Sequence, residues 1–174
     1  MIRHPRASVR VRVMLPALGA VLAVALAGCS PQVDLKQTLQ VTDVAAGWHD
    51  AGVVAGKNKI VPSVTFRLKK PAGASVSPLA LNAVFKRLNG QPPHVTEDDW
   101  DEVFVQNVPF EGDQTAPLTV TSPTGYTADP PQSRADMLAN SQFRDMRLHL
   151  FAKSGSGQWV EVAHIDIPRT LLAQ

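Results

Sequence analysis

Met146-Arg147-Leu148-His149-Leu150-Phe151-Ala152-Lys153 runs directly into Ser154-Gly155-Ser156-Gly157, and a second apolar segment, Gln158 to Ile167, follows. In the first segment, which begins at Phe143, Met146, Leu148, Leu150 and Ala152 share one parity, and Arg147, His149 and Lys153 the other. Side chains of a strand point alternately to its two faces, so this pattern is a strand with one dry and one wet face. The Gly/Ser quartet turns the chain back as a hairpin. On the return, Val160 and Val162 are in step while Ile165 and Ile167 fall on the opposite count. A β-bulge near Ala163–His164 accounts for that slip.

The same period recurs upstream. Val64, Phe66 and Leu68 alternate with Thr65, Arg67 and Lys69 in a strand over Val61–Lys69 that Pro71-Ala72-Gly73 ends. Leu79, Leu81, Ala83 and Phe85 are in phase over Leu79–Leu88, and Asn89-Gly90 forms a turn there. Leu35–Val44 reads as a first strand, with Leu39, Val41 and Asp43 on one face; Glu102–Val108 and Pro117–Ser122 are short strands. Within the Pro-, Gly- and Ser-rich connection from Ser122 to Phe143, residues 133–139 form a short helix capped by Ser133. Arg169–Gln174 is a last frayed turn. About seven strands of this kind with one short helix make an all-β protein over residues 35–174, an immunoglobulin-like antiparallel β-sandwich.

Ahead of that domain, Val13 to Leu26 is apolar and is preceded by Arg3, Arg6, Arg10 and Arg12, with no acidic residue before Cys29. A positive start, a short apolar middle and small residues at the cut make a secretory signal over residues 1–28. The segment is shorter than the ~20 residues of a bilayer-spanning helix. Leu26-Ala27-Gly28-Cys29 resembles the lipobox of bacterial lipoproteins. That resemblance implies cleavage between Gly28 and Cys29 and a covalent lipid on Cys29; no cofactor motif occurs elsewhere, so none is expected beyond that lipid. Ser30 after the cysteine resembles the pattern for delivery to the outer membrane, facing the periplasm. Residues 29–34 are then a lipidated cysteine and short tether, reaching at most ~18 Å.

Loss of residues 1–28 leaves 146 residues, one domain's worth. Four of the 17 basic residues go with them and none of the 15 acidic ones, so 13 − 15 gives a net charge of −2. No basic surplus remains to favour nucleic acid. Cys29 is the one cysteine, so the core forms without a disulfide. A second resemblance lies in Val64-Thr65-Phe66-Arg67-Leu68-Lys69-Lys70 and Leu81-Asn82-Ala83-Val84-Phe85-Lys86-Arg87-Leu88-Asn89-Gly90, which is similar to the strand pair of small envelope sandwiches of the FxLYD type. Here Phe85 is followed by Lys86-Arg87 where that family has Tyr-Asp. The resemblance implies a fold and no binding residues.

The densest polar cluster is Glu97-Asp98-Asp99-Trp100-Asp101-Glu102. Calcium takes six to eight oxygens and loop carboxylates supply them, but the spacing lacks the Asp-x-Asp-x-Asp-Gly pattern. A solvated acidic loop, or the start of a helix or of an edge strand guarded by charge, is the plainer account. His49, His94, His149 and His164 show no metal-ligand spacing, although His149 and His164 fall opposite each other on the last hairpin. Trp48-His49-Asp50 holds a base and a carboxylate, yet no Gly-x-Ser-x-Gly elbow accompanies it. Trp159 reads as core or rim, and Trp100 as the exposed aromatic. These features point to a non-catalytic envelope lipoprotein, attached to the membrane through its lipid, that binds another envelope protein. The alternative is a sugar or calcium module on Glu97, Asp98, Asp99, Trp100, Asp101 and Glu102.

Overall fold

The computed structural model describes residues 33–173; the signal segment, Cys29 and the tether as far as Gln32 lie outside the described residues. In chain order the elements are α1 (Leu35–Thr38), β1 (Gln40–Val54), β2 (Lys57–Lys69), β3 (Leu79–Gln91), β4 (His94–Val105), β5 (Leu118–Thr121), β6 (Tyr126–Ala128), α2 (Arg134–Ala139), β7 (Met146–Ser154) and β8 (Val160–Ile167). One sheet has the order β1-β2-β5, with β6 also on β2; the other is β4-β3-β7-β8. Every ladder between these strands is antiparallel. With β2 between β1 and β5, and β3 beside β7 and β7 beside β8, the arrangement is an immunoglobulin-like sandwich with one strand added at the β3 edge.

The core follows from the parity of the strands. Val64, Phe66 and Leu68 of β2 are buried against Leu81, Ala83 and Phe85 of β3 and Leu148, Leu150 and Ala152 of β7. Each large side chain so buried contributes roughly 1.5–3 kcal/mol. Trp48 of β1 is fully buried among them, its ring 4.6 Å from Phe143 and 5.7 Å from Tyr126. β5 and β6 pair with successive parts of β2, and Gly125 between them passes so close to the Ile60 carbonyl that no β-carbon fits.

Some sequence expectations change. Leu35–Val44 is not one strand: Asp34 caps α1 by accepting from the Lys36 and Gln37 amides, and Leu35 and Leu39 are both buried. Their four-residue spacing is that of a helix face. The Asn89-Gly90 turn is instead part of β3, Gly90 pairing with Val95, and the hairpin closes at Pro92-Pro93. Glu102–Val108 starts too late, since β4 begins at His94. The helix capped by Ser133 forms as expected, with a capping box to Asp136. In the last hairpin Leu150 pairs with Ala163 and Phe151 with Glu161, so the extra residue is Val162, one place before the expected bulge.

Nor is the C-terminal segment a frayed turn. The Trp48 amide donates to Thr170 O at 2.8 Å and the Leu172 amide donates to Trp48 O at 2.9 Å, laying the tail along the open edge of β1. Gly47 permits this approach: a β-carbon there would lie 2.7 Å from Thr170 O and 2.9 Å from Leu172 Cδ2. Gly47→Ala is expected to cost about 1–3 kcal/mol in urea unfolding. It should also raise amide exchange at Trp48 and Leu172 before the rest of the sandwich.

Candidate functional site

The acidic cluster is not a loop. All six residues from Glu97 to Glu102 belong to β4, an edge strand of its sheet, and the five acids among them pair with β3. Phe85 faces Asp101 and Lys86 faces Asp99, so Trp100 is an extra residue, a bulge. The bulge resets the parity. Glu97, Asp99 and Glu102 share the outer face with Lys86 and Val84, whereas Asp98 and Asp101 stand on the side of Arg87 and Phe85.

Each acid has its own partner. Glu97 accepts from Arg147 at 2.9 Å, Asp98 from Asn89 at 2.7 Å and Glu102 from Asn82 at 3.1 Å; Asp99 lies 3.0 Å from Lys86 Nζ. Asp101 ties the sheets together. Its Oδ2 accepts from the Ser122 hydroxyl at 2.8 Å and the Thr124 amide at 3.1 Å, and its Oδ1 from the Glu102 amide at 2.9 Å. Burial pushes the Asp101 carboxyl up, but these bonds outweigh it and hold the pKa below the ordinary 3.8. Among the described residues, no group of three or more His, Cys, Asp or Glu side chains is placed to hold a metal ion.

Trp100 is not the exposed aromatic expected from the sequence. It is half-buried, stacked on Tyr126 at 5.7 Å, with the Arg87 guanidinium 4.9 Å from its ring centroid. Its Nε1 donates to Thr124 O at 3.3 Å. Tyr126, Phe143 and Trp48 continue the aromatic contacts into the core through tilted and edge-to-face pairs. The exposed aromatics are Phe104, 54% accessible, and Trp159, 39% accessible, which meet edge-on at 6.1 Å across the sheet. With Lys153, Gln106 and Asn107 they line an open cleft of about 260 Å³ beside Pro78 and the β7–β8 hairpin. Phe104 follows Glu102 at strand spacing, a signal that was available in the sequence.

Between that cleft and the β3–β4 turn, the outer face of β4-β3-β7-β8 carries an ordered ionic network. Arg147 donates through Nε to Asp166 at 2.6 Å and through Nη1 to Glu97, which reaches over β3 from β4. The bond with Asp166 holds the Arg147 pKa above its ordinary value, against the effect of burial and with help from Glu97. The Asp166 pKa is lowered by the same bond. His149 Nδ1 is 2.7 Å from Glu161, and its Nε2 lies 2.9 Å from Glu97 Oε2 but out of hydrogen-bond alignment. His164 pairs across from His149, their rings 6.2 Å apart, as the alternation of the last hairpin implied.

The Trp48-His49-Asp50 stretch is split by its strand. Trp48 is in the core, His49 is exposed, and Asp50 accepts from the Gly52 amide at 2.8 Å and from Arg134 Nε at 3.0 Å. Burial opposes ionisation of Asp50, but the Gly52 and Arg134 bonds win and lower its pKa. Among the described residues, no hydrogen bond joins His49 to Asp50.

No protein-family model and no curated protein matches the chain. Among solved structures it is similar to the X-ray structure of Northeast Structural Genomics Consortium target SoR45, at 15% identity over 78% of this chain and 89% of that one, with a TM-score of 0.32. That likeness is too distant to bear on function.

Asp101 contributes stability that is complete above the ordinary carboxylate value of 3.8 and is lost as pH falls through its lower folded pKa. Asp101→Ala should therefore cost about 1.5–3 kcal/mol at neutral pH and flatten the acid limb of stability, both read by urea unfolding across pH.

Proposed function

We propose that this protein is a lipid-anchored, non-catalytic component of the cell envelope whose sandwich docks another envelope protein. The outer face of β4-β3-β7-β8 is the docking surface. The observation that carries this reading is the network of Glu97, Arg147, Asp166, His149 and Glu161 on that face. Hydrogen bonds already hold its long side chains in place, so a partner has less rotamer freedom to remove on binding. Charges of both signs in fixed positions select register and partner more than raw affinity. Arg147, with Nε and Nη1 held by Asp166 and Glu97, is the member able to add a charge-assisted contact to a partner's carboxylate.

The anchor reading rests on Leu26-Ala27-Gly28-Cys29, and Ser30 favours the outer membrane with the domain in the periplasm. Among the described residues no helix is long and apolar enough to cross a membrane. The alternative, a sugar or calcium module on Glu97–Glu102 and Trp100, draws little support from the arrangement. The acids divide between two faces with separate partners, and the Trp100 ring already has Tyr126 and the Arg87 guanidinium against it.

Photo-crosslinking residues placed at Val84 and His164 in living cells should capture one recurrent envelope protein, and one placed at Thr119 on the opposite sheet should not. Arg147→Ala should remove that product while leaving the protein's amount unchanged; equal capture from both sheets would sink the assignment of the face. Independently, Cys29→Ser should move the protein from the membrane pellet to the soluble fraction.

A further inference from the structure

The chain leaves its N-terminal segment at one identifiable end of the sandwich. β1 begins there, Gln40 pairing with Lys69 at the end of β2. Residues 108–115 bridge from there to the start of β3, since the Thr115 amide donates to Leu68 O and the Val108 amide to Leu79 O. The Gly155 amide donates to Pro78 O, which places the β7–β8 hairpin at the same end. Phe104, Trp159 and Lys153, which line the cleft beside that hairpin, therefore share an end of the fold with Val33.

Cys29 is separated from Val33 by Ser30, Pro31 and Gln32 alone. At ~3.3–3.6 Å per residue the cysteine lies no more than about 14 Å from Val33. β2 has 13 residues and so runs about 43 Å from end to end. If Cys29 is lipidated, the end bearing Phe104 and Trp159 is held beside the bilayer and the opposite end is held away from it.

We propose that Val33, Phe104, Trp159 and Lys153 seat the domain on the headgroup layer of the membrane that holds the Cys29 lipid. The proposal rests on the lipid-anchor reading and adds to it a fixed tilt. Val33 is 37% accessible, Phe104 54% and Trp159 39%, an exposed apolar set at the end nearest the bilayer. Tryptophan is favoured at the membrane–water boundary because its ring is apolar and its N–H polar. The Lys153 amine stands 5.0 Å from the Trp159 ring centroid. From there its long stem lies along the aromatic surface while the ammonium reaches a headgroup phosphate. Nearby Lys70 is paired with Asp113, and Lys69 and Glu111 are both exposed, so net charge at this end is small. Insertion of the aromatic rings is then the main attraction, and Lys153 fixes depth. The tether alone would let the domain turn freely; three contacts around one cleft do not.

The test uses the full chain matured in cells and recovered with its N-terminal cysteine attached to membrane. It is reconstituted into vesicles of phosphatidylethanolamine and phosphatidylglycerol whose acyl chains carry bromine near the headgroup. Bromine should quench part of the tryptophan emission of the unsubstituted protein. Trp159→Phe should abolish that quenchable part, and Trp100→Phe should leave it. A lipidated, vesicle-bound protein whose emission bromine does not touch overturns the seat and leaves the anchor standing. A mature chain whose mass shows no lipid on Cys29 overturns the anchor, and the seat with it.

Discussion

Alternation on β2, β3 and β7 is the constraint from which the rest of this structure follows. Val64, Phe66 and Leu68 on one sheet must meet Leu81, Ala83, Phe85, Leu148 and Leu150 on the other, because only that meeting removes them all from water. Once β3 lies between β4 and β7 with its apolar parity inward, its polar parity is committed to the outer face. The ionic network is a consequence. Arg147 and His149 alternate with Met146, Leu148 and Leu150, so burying the latter presents the former.

The bulge at Trp100 shows how one residue redistributes function. Without it, Glu97, Asp99 and Asp101 would share a face and concentrate negative charge on an edge strand. With it, Asp101 turns toward the other sheet and takes hydrogen bonds from Ser122 and Thr124, while Glu97 faces outward to Arg147. The acids remaining on the β4 edge discourage pairing with a stray strand. The β1 edge of the other sheet is handled differently: two irregularities, one at Asp43–Val44 and one at Ala51–Gly52, break its register, and the C-terminal tail covers Trp48.

Where the pattern of the sequence was clean, the fold was legible: β2, β3, β7 and the helix capped by Ser133 appear where alternation and capping put them. It was illegible where a local irregularity hid the period. Leu35 and Leu39 resemble alternate strand positions to the eye, yet they are one helical turn apart below an Asp34 cap. β1 carries Trp48, but its two register shifts scramble the alternation that would have revealed it. β4 was concealed by composition, since six polar and aromatic residues in a row look like a loop until β3 supplies the hydrogen bonds that make them a strand.

The candidate surfaces divide along the same line. The sequence by itself determined an all-β domain with dry and wet strand faces, and His149 opposite His164, because these depend on a two-residue period that the chain carries locally. It also placed a lone cysteine behind an apolar stretch, Val13 to Leu26. The tertiary structure alone decided that Trp100 is covered by Arg87 and Tyr126 while Phe104 and Trp159 are left open. It alone brought Glu97 to Arg147, 50 positions away. Exposure and long-range ion pairing depend on which strands become neighbours. That choice is made by the summed burial of the whole core, and no single stretch of sequence contains it.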